Sequence, residues 1–247
     1  MNSDGSWTQR VWPYTGITVG LCAWRVTMLA GCDRSYVQAH PSLIVSLPDD
    51  DDSTLKQAEP HIGSLPVLVV IEEPPFARQL ESIVMARLGS LNRERIDALV
   101  LKLHDTAEIK SGGMVQTLYA LRDRGVVGCL GLAHDEANAV EWLSQNSAVR
   151  ILGMNYSLKN QAVGYRALNS AQSHGMAALS LAVPDNEQSI RFALGETDRV
   201  LPVLDRPIPP GLTPMSTDEL ARQFASYQRQ HPEPPALKRG LPPMSEY

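Results

Sequence analysis

The sequence predicts an α/β protein that folds as a single closed (β/α)8 barrel, the TIM-barrel architecture. Eight apolar runs of strand length recur along the 247 residues, and their starts lie roughly 23 to 32 residues apart. That interval is what a strand, a helix and two short loops consume. Stretches with helical spacing of apolar residues separate the runs. The length suits one such barrel, near the lower end of the usual size of about 250 residues.

The eight predicted strands share the same character. Each has six or seven residues, rich in aliphatic side chains, with polar or turn-forming residues at its ends. They are residues 17–22, 42–47, 66–71, 98–103, 126–132, 149–154, 176–181 and 199–204. An alternating order of strands and helices is typical of a parallel sheet covered by helices.

Most of the predicted helices have clear apolar faces and clear ends. The stretch 76–88 repeats apolar residues at intervals of three and four, which predicts an amphipathic helix. The stretches 113–123 and 161–173 end near Gly125 and Gly175, as expected where a glycine takes the left-handed C-cap conformation.

Two further stretches are helix candidates, one weak and one well capped. Residues 50–63 are acidic and contain the helix breakers Pro60 and Gly63, so only one weak turn of helix is expected and the second unit is the thinnest. Residues 217–229 follow Ser216, and Glu219 lies three positions on, which predicts a capping box. The barrel is thus expected to be shortened in its first two units and after strand eight.

The predicted organisation has three parts. Residues 1–15 form an N-terminal segment, 16–230 a single barrel domain, and 231–247 a proline-rich C-terminal tail. The tail has five prolines and few residues that could be buried, which is typical of a surface or disordered segment.

Composition excludes several classes of partner. The net charge is −5 and no block of Lys or Arg occurs, so nucleic acid and anionic membranes are not expected partners. No apolar run approaches the roughly 20 residues of a membrane span, and residues 1–15 lack an apolar signal core, so a cytoplasmic location is predicted. Cys22, Cys32 and Cys129 lack any CxxC spacing, so neither a disulfide framework nor a structural zinc site is expected.

Several segments carry a resemblance to a known family. RLGSLNRERIDALVLKLHD (87–105), LYALRDRGVVGCLGLAHDE (118–136), MNYSLKNQ (154–161) and SHGMAALSLAVP (173–184) follow one another in the order and spacing of the strand four to seven region of aldo-keto reductases. The similarity extends in register over about residues 66–204. The chain therefore resembles this superfamily as a divergent member, which implies the same barrel.

The resemblance implies a catalytic set that this chain keeps only in part. In the family a tyrosine is the general acid for ketone reduction by NADPH, a lysine and an aspartate tune it, and a histidine orients the carbonyl. The histidine corresponds to His104. Glu72 or Glu73 stands where the lysine is expected, and a carboxylate would raise a tyrosine pKa rather than lower it. Asp49 is the candidate for the aspartate, but no tyrosine lies near it.

The cofactor side of the pattern has also changed. The family's Ser-Asn pair, which holds the nicotinamide amide, falls on Ala133 and His134. The phosphate cradle after strand eight is replaced by Asp205, Arg206 and a run of prolines, which lack N–H donors. His134 and Arg206 are the remaining candidates for cofactor contacts, and we expect no bound NADPH and no other cofactor.

Polar residues follow the predicted strands and are expected to meet at the barrel mouth. They are Asp49, Glu72, His104, Asp105, His134, Asp135, Asn155, Tyr156, Asp205 and Arg206. Three interpretations stay open. The first is cofactor-independent acid/base chemistry of the isomerase, lyase or cyclase type, with His104 as proton carrier, Glu72 or Asp49 setting its charge and Tyr156 as a further donor. The second is a divalent metal site. The third is polar loops covered by water, with the run 49–52 as a solvated, self-repelling loop.

The function favoured by the sequence is a barrel that has lost the Tyr/Lys reductase chemistry and acts as a non-catalytic subunit or binding protein. Another protein subunit is the expected partner, and a small molecule at the barrel mouth is a further candidate ligand. The modifier subunit of glutamate–cysteine ligase, which resembles the same family and works by pairing with an enzyme, is a precedent for this role. The alternatives are the acid/base enzyme centred on His104 and a divergent NADP-dependent oxidoreductase. No metal ligands are assigned.

Overall fold

Eight parallel strands close into a barrel in the computed structural model, which describes residues 9–31, 34–106, 113–147 and 149–231. The ten strands of the described residues are β1 (Arg10–Val11), β2 (Thr18–Val19), β3 (Ala23–Arg25), β4 (Ile44–Ser46), β5 (Val67–Glu72), β6 (Ile96–Lys102), β7 (Val127–His134), β8 (Ile151–Met154), β9 (Ala177–Ser180) and β10 (Leu201–Leu204). β3 to β10 form the barrel in chain order, and β10 pairs with β3 to close it. The predicted (β/α)8 fold is confirmed.

Helices follow the barrel strands and cover the outside of the sheet. They are α1 (Val26–Gly31), α2 (Arg34–Ala39), α3 (Asp52–Ile62), α4 (Ala77–Ser90), α5 (Gly113–Asp123), α6 (Ala137–Asn146), α7 (Gln161–Ser173), α8 (Glu187–Gly195) and α9 (Thr217–Gln230). One large apolar cluster lies between helices and strands, and a second fills the barrel interior. None of these described helices is long and apolar enough to span a membrane.

Alternate residues of each strand point into the barrel, because side chains of a strand alternate between the two faces. In β6, Ala98 and Val100 belong to the interior cluster, so Lys102 also faces inward at the end of the strand. Space in the interior is tight. A Cβ on Gly131 of β7 would lie 2.8 Å from side-chain atoms of both Val100 and Ile151, so only glycine fits there. The barrel is a packed core, and an opening can exist only at its ends.

The predicted first strand, 17–22, is wrong: the first barrel strand is Ala23–Arg25. Residues of the earlier run instead form β2, which pairs antiparallel with β1 and makes a hairpin. Trp12, Ile17 and Val19 are buried in the interior cluster, so this hairpin closes the N-terminal end of the barrel. The run is apolar because it plugs the barrel. The predicted boundary between residues 15 and 16 falls within the hairpin.

The second unit also differs from expectation. A single weak turn was predicted over 50–63, but α3 is an 11-residue helix. The Asp51 carboxylate caps it by accepting from the Thr54 N–H at 2.7 Å, and acidic residues at a helix N-terminus favour the helix dipole. Pro60 lies two residues before the helix ends at Ile62, so it interrupts little of it. The shortness falls instead on β3 and β4, which have three residues each.

The C-terminal helix begins as predicted. Ser216 Oγ accepts from the Glu219 N–H at 3.3 Å, and Glu219 Oε2 accepts from the Ser216 N–H at 2.8 Å, which completes the capping box. Within α9 no residue is fully buried, and its Phe224 ring lies 5.2 Å from the Tyr165 ring of α7. Residues 232–247, almost all of the predicted tail, lie outside the described residues.

The predicted glycine caps are confirmed, and two of the three cysteines are buried. Gly125 and Gly175, which follow α5 and α7, have φ of 76° and 67°. Cys22 and Cys129 are free and buried. Cys32 lies outside the described residues.

Two helical glycines offer a matched test of this packing. A Cβ on Gly164 of α7 would overlap Cδ2 of the buried Tyr156 ring and lie 2.9 Å from Cε2, whereas a Cβ on Gly89 of α4 meets nothing. We expect Gly164→Ala to lower the free energy of unfolding by about 1 to 3 kcal/mol through overpacking. Gly89→Ala should raise it by up to about 1 kcal/mol, because alanine favours the helix. Urea denaturation measures both, and equal effects would contradict the packing around Tyr156.

Candidate functional site

A cavity of about 460 Å³ opens at the C-terminal end of the barrel. Its lining is mixed, with aliphatic side chains from the strands and charged or amide groups from the strand ends. The lining residues are Leu47, Pro48, Asp49, Val70, Glu72, Lys102, Asp135, Asn155, Leu181 and Ala182. This is the end at which barrel enzymes place their reactive groups, and the volume falls within the range typical of small-molecule pockets.

Lys102 is the central charged group of this cavity. Its Nζ lies 3.0 Å from Asp135 Oδ2 and 3.8 Å from Glu72 Oε1, and the lysine side chain is 23% exposed. The other Asp135 oxygen accepts from Asn155 Nδ2 at 2.8 Å. A largely buried ammonium needs compensating charge, and these two carboxylates supply it. The residues form a continuous polar chain across β5, β6, β7 and β8.

A second ion network lies beside the cavity, around Arg25 at the end of β3. Arg25 donates to Asp50 Oδ1 from Nε at 3.0 Å and from Nη2 at 2.8 Å, and Nη2 lies 2.6 Å from Asp49 Oδ2. The Asp50 side chain is fully buried, and its Oδ2 accepts from the Leu47 N–H at 2.6 Å. Burial raises the pKa of Asp50, and the Leu47 N–H and Arg25 oppose that shift.

The run 49–52 is therefore not the self-repelling loop that was considered from the sequence, although Asp49, Asp51 and Asp52 are exposed, as that interpretation expected. Asp50 binds Arg25 in the interior, Asp51 caps α3, and Asp52 Oδ1 accepts from Ser90 Oγ at 3.0 Å. Arg87 of α4 also donates to the backbone carbonyls of Pro48, at 3.1 Å, and of Asp50. Partners of opposite charge or polarity satisfy the carboxylates, so the loop is held in one place against the mouth.

His104 lies outside the cavity. It follows β6 by two residues and is exposed, and its backbone N–H donates to Glu73 Oε2 at 3.0 Å. His134 ends β7, and its Nδ1 accepts from the Glu136 N–H at 3.0 Å, so Nε2 carries the proton and donates to the His104 carbonyl at 3.3 Å. Both histidines belong to the rim, and neither is among the residues that line the cavity.

The side chains of Tyr156 and Arg206 likewise contact residues outside the cavity. Tyr156 is 4% exposed, and its ring centroid lies 5.4 Å from that of Phe192. Burial raises the pKa of the Tyr156 phenol far above its usual value, and the Glu196 charge adds to the rise. Arg206, just after β10, forms an ion pair with Asp185. Tyr156 thus packs in the apolar layer between sheet and helices.

Of the site residues chosen from the sequence, the structure brings Asp49 and Glu72 to the cavity, together with Asp135 and Asn155. The sequence interpretation missed Lys102. Its signal was present, because Ala98, Val100 and Lys102 alternate along β6 and share the inward face. Arg25 was missed because the first strand was placed too early. Among the described residues, no group of three or more His, Cys, Asp or Glu side chains is arranged to hold a metal ion.

The cavity can hold a small polar molecule, and its chemistry is dominated by a compensated ion pair. Lys102 and Asp135 could exchange a proton with a ligand that displaced one of them, since ammonium and carboxylate are donor and acceptor respectively. No tyrosine or histidine ring is among the lining residues of the described chain.

Comparison with known proteins identifies the architecture. No protein-family model matches the sequence, and no curated protein matches it. Solved structures do match. An aldo-keto reductase from Klebsiella pneumoniae in complex with NADPH is 13% identical, with a TM-score of 0.68, and the match covers 95% of this chain and 99% of that one.

Two further structures agree with the first. The aldose reductase from Schistosoma japonicum is 10% identical, with a TM-score of 0.68 over 94% of this chain and 100% of that one. A Bombyx mori aldo-keto reductase in complex with NADP is 14% identical, with a TM-score of 0.66 over 88% of this chain and 92% of that one. The chain has the aldo-keto reductase fold, as the resemblance in its sequence implied.

The Arg25–Asp50 pair gives a pH-dependent prediction. Arg25→Met leaves a buried carboxylate without its counter-charge, so we expect a loss of about 3 kcal/mol in unfolding free energy near pH 7. An acid whose pKa is higher when folded destabilises the fold as pH rises above the unfolded value, about 3.9 for Asp. The loss should therefore be smaller at pH 4 than at pH 7, as measured by denaturant titration at both values.

The matched control removes both charges. Asp50→Asn in the Arg25→Met background keeps an oxygen for the Leu47 N–H and should restore most of the stability near pH 7. A loss that is the same at both pH values, or that the double variant does not relieve, would show that Arg25 acts through packing alone.

Proposed function

We propose that this aldo-keto-reductase-fold barrel performs no NADPH-dependent carbonyl reduction and works as a non-catalytic subunit or binding protein. The observation that carries the proposal is the position of Lys102. Its ammonium lies between Glu72 and Asp135 at the mouth of the barrel, where a reductase of this fold would have to place a carbonyl and its proton donor.

Neither Tyr156 nor His104 is placed to donate a proton to a carbonyl at the mouth. General acid catalysis needs a group within hydrogen-bond reach of the reacting oxygen and with a pKa near the working pH. Tyr156 fails on both counts, because it is buried against Phe192 and its pKa is raised. His104 is exposed on the rim, and its place after β6 keeps it out of the cavity lining.

The residues after β10 also do not fit the phosphates of a nicotinamide cofactor. Phosphate binding needs backbone N–H groups and free cations. Pro207, Pro209 and Pro210 have no N–H, and the Ile208 N–H already donates to the Tyr36 hydroxyl at 3.0 Å. Arg206 is paired with Asp185. This disagreement between loop and cofactor supports the proposed absence of NADPH and opposes the divergent oxidoreductase alternative.

An exposed aromatic at the mouth supports a protein partner. Phe76 lies in the loop that follows β5, four residues after Glu72, and it is 56% exposed. The Arg78 guanidinium lies 5.2 Å from its ring centroid. Exposed aromatic and arginine side chains are enriched where proteins bind one another. We therefore assign Phe76 to the surface that contacts the partner. The cytoplasmic location stays a prediction from the sequence.

Cofactor-independent acid/base chemistry is the second candidate function, and one observation favours it. Lys102, Asp135 and Glu72 meet in a cavity large enough for a small substrate. If the protein is an enzyme of this kind, its proton carriers are Lys102 and Asp135 rather than His104. Lys102→Met would then abolish the activity, and His104→Ala would leave it intact.

The absence of NADPH binding is tested by fluorescence titration of the purified protein. We expect no saturable change in NADPH or tryptophan emission below about 1 mM nucleotide, since a specific site would bind far more tightly. Arg206→Ala should leave the titration unchanged. A dissociation constant in the micromolar range, weakened by Arg206→Ala, would overturn the proposal.

The partner is tested on the complex purified from the source cells through a tag on this chain. Size-exclusion chromatography with mass detection should give a mass well above the 27.1 kDa of the single chain, with a second polypeptide in constant ratio. Phe76→Ser should weaken the complex about ten-fold or more, as for a central interface aromatic. Met85→Ser, at the 51% exposed Met85 on the outer face of α4, is the control and should change nothing. Elution of the wild-type chain alone would contradict a subunit role.

A further inference from the structure

The mouth cavity has an apolar side and a charged side. Val70 and Leu181 belong to or pack against the interior cluster, and with Leu47 they present aliphatic surface to the cavity. Glu72 and Asp135 form the charged side of the cavity and lie at the ends of the strands. A ligand that fits such a cavity has a short apolar body and one polar or charged end.

The charges around the cavity do not balance. Asp49, Asp50, Glu72 and Asp135 supply four carboxylates, and Arg25 and Lys102 supply two cations, so two negative charges are left in excess. Arg206, which follows β10, is already paired with Asp185. Within a partly enclosed cavity this excess attracts cations and repels anions.

Lys102 shows how the site accommodates an ammonium. It lies close to Asp135 but 3.8 Å from Glu72, so the Glu72 carboxylate is only loosely engaged. The Glu72 side chain is 52% exposed and that of Asp49 is 70% exposed, and both line the cavity. These two carboxylates have free hydrogen-bonding capacity for a second cation, because each carboxylate can accept about four hydrogen bonds.

We propose that the barrel mouth binds a small organic cation, an alkylammonium or guanidinium compound with a short branched apolar tail. The cationic head contacts Glu72 and Asp49, and the tail lies on Val70 and Leu181. This site does not depend on the proposed function. NADPH titration tests that function, and titration with a cation tests the site.

Three probes of similar size test the site by calorimetry at low salt: 3-methylbutylamine, 3-methylbutanol and 4-methylpentanoate. They share the branched tail and carry a positive, a neutral and a negative head. We expect the amine to bind with a dissociation constant of about 1 mM or tighter, and the alcohol and carboxylate at least ten-fold more weakly. Equal or tighter binding of the carboxylate would overturn the proposal.

Variants test whether the mouth is the site. Glu72→Gln should weaken amine binding about ten-fold. Glu81→Gln removes a similarly exposed carboxylate, paired with Arg124 on the outer face of α4, and should leave binding unchanged. Lys102→Met should strengthen amine binding about ten-fold, because it frees Glu72 and Asp135 from their own cation. Weaker binding in Lys102→Met, or the same effect of Glu72→Gln and Glu81→Gln, would show that the amine binds elsewhere. Thermal melting confirms that each variant is folded.

Discussion

The closure of eight parallel strands into one barrel is the constraint on which the other features depend. A closed sheet has an inner face, and alternate residues of every strand must occupy it. In this chain β3, β5 and β6 place small or branched aliphatic residues in the barrel interior, and then a charged residue two positions further on. Arg25 follows Ala23, Glu72 follows Val70, and Lys102 follows Val100. The polarity of the mouth is therefore a consequence of strand periodicity.

An inward-facing position at the mouth end of a strand has two opposite consequences for a charged side chain. It is close enough to the apolar interior that an unpaired charge is costly, and close enough to the loops that partners of opposite charge can reach it. Arg25 is matched by Asp50 and Asp49 from the loop after β4, and Lys102 by carboxylates from both neighbouring strands. The ion pairs that compensate the charges of these cations also occupy the groups that a catalytic reaction would need. A barrel end whose cations are paired in this way is suited to holding a ligand or partner.

The periodicity of the strands and the caps of the helices could be predicted from the sequence, whereas ion pairs between residues far apart in the chain could not. Seven of the eight barrel strands overlap the predicted runs, and the capping box at Ser216 and Glu219 formed as expected, because these features depend on neighbours in the chain. Residues 17–22 misled because a hairpin that plugs a barrel is as apolar as a strand of the barrel. The run 49–52 misled because its charge count suggested repulsion, while its partner Arg25 lies 25 residues away from Asp50. Lys102 was overlooked beside His104. Both have the phase of Ala98 and Val100, but β6 ends at Lys102, so only the lysine is held on the inward face of the strand.

The most direct measurement of the central claim is a crystal structure determined from crystals soaked in NADPH. The proposed loss of cofactor binding predicts density for Lys102 Nζ within ion-pair distance of Asp135, the Arg25–Asp50 pair intact, the loop after β10 in contact with Tyr36, and no nucleotide in the mouth. A nicotinamide ring in the cavity, with Lys102 displaced from Asp135 and the phosphates bound by the segment after β10, would contradict it.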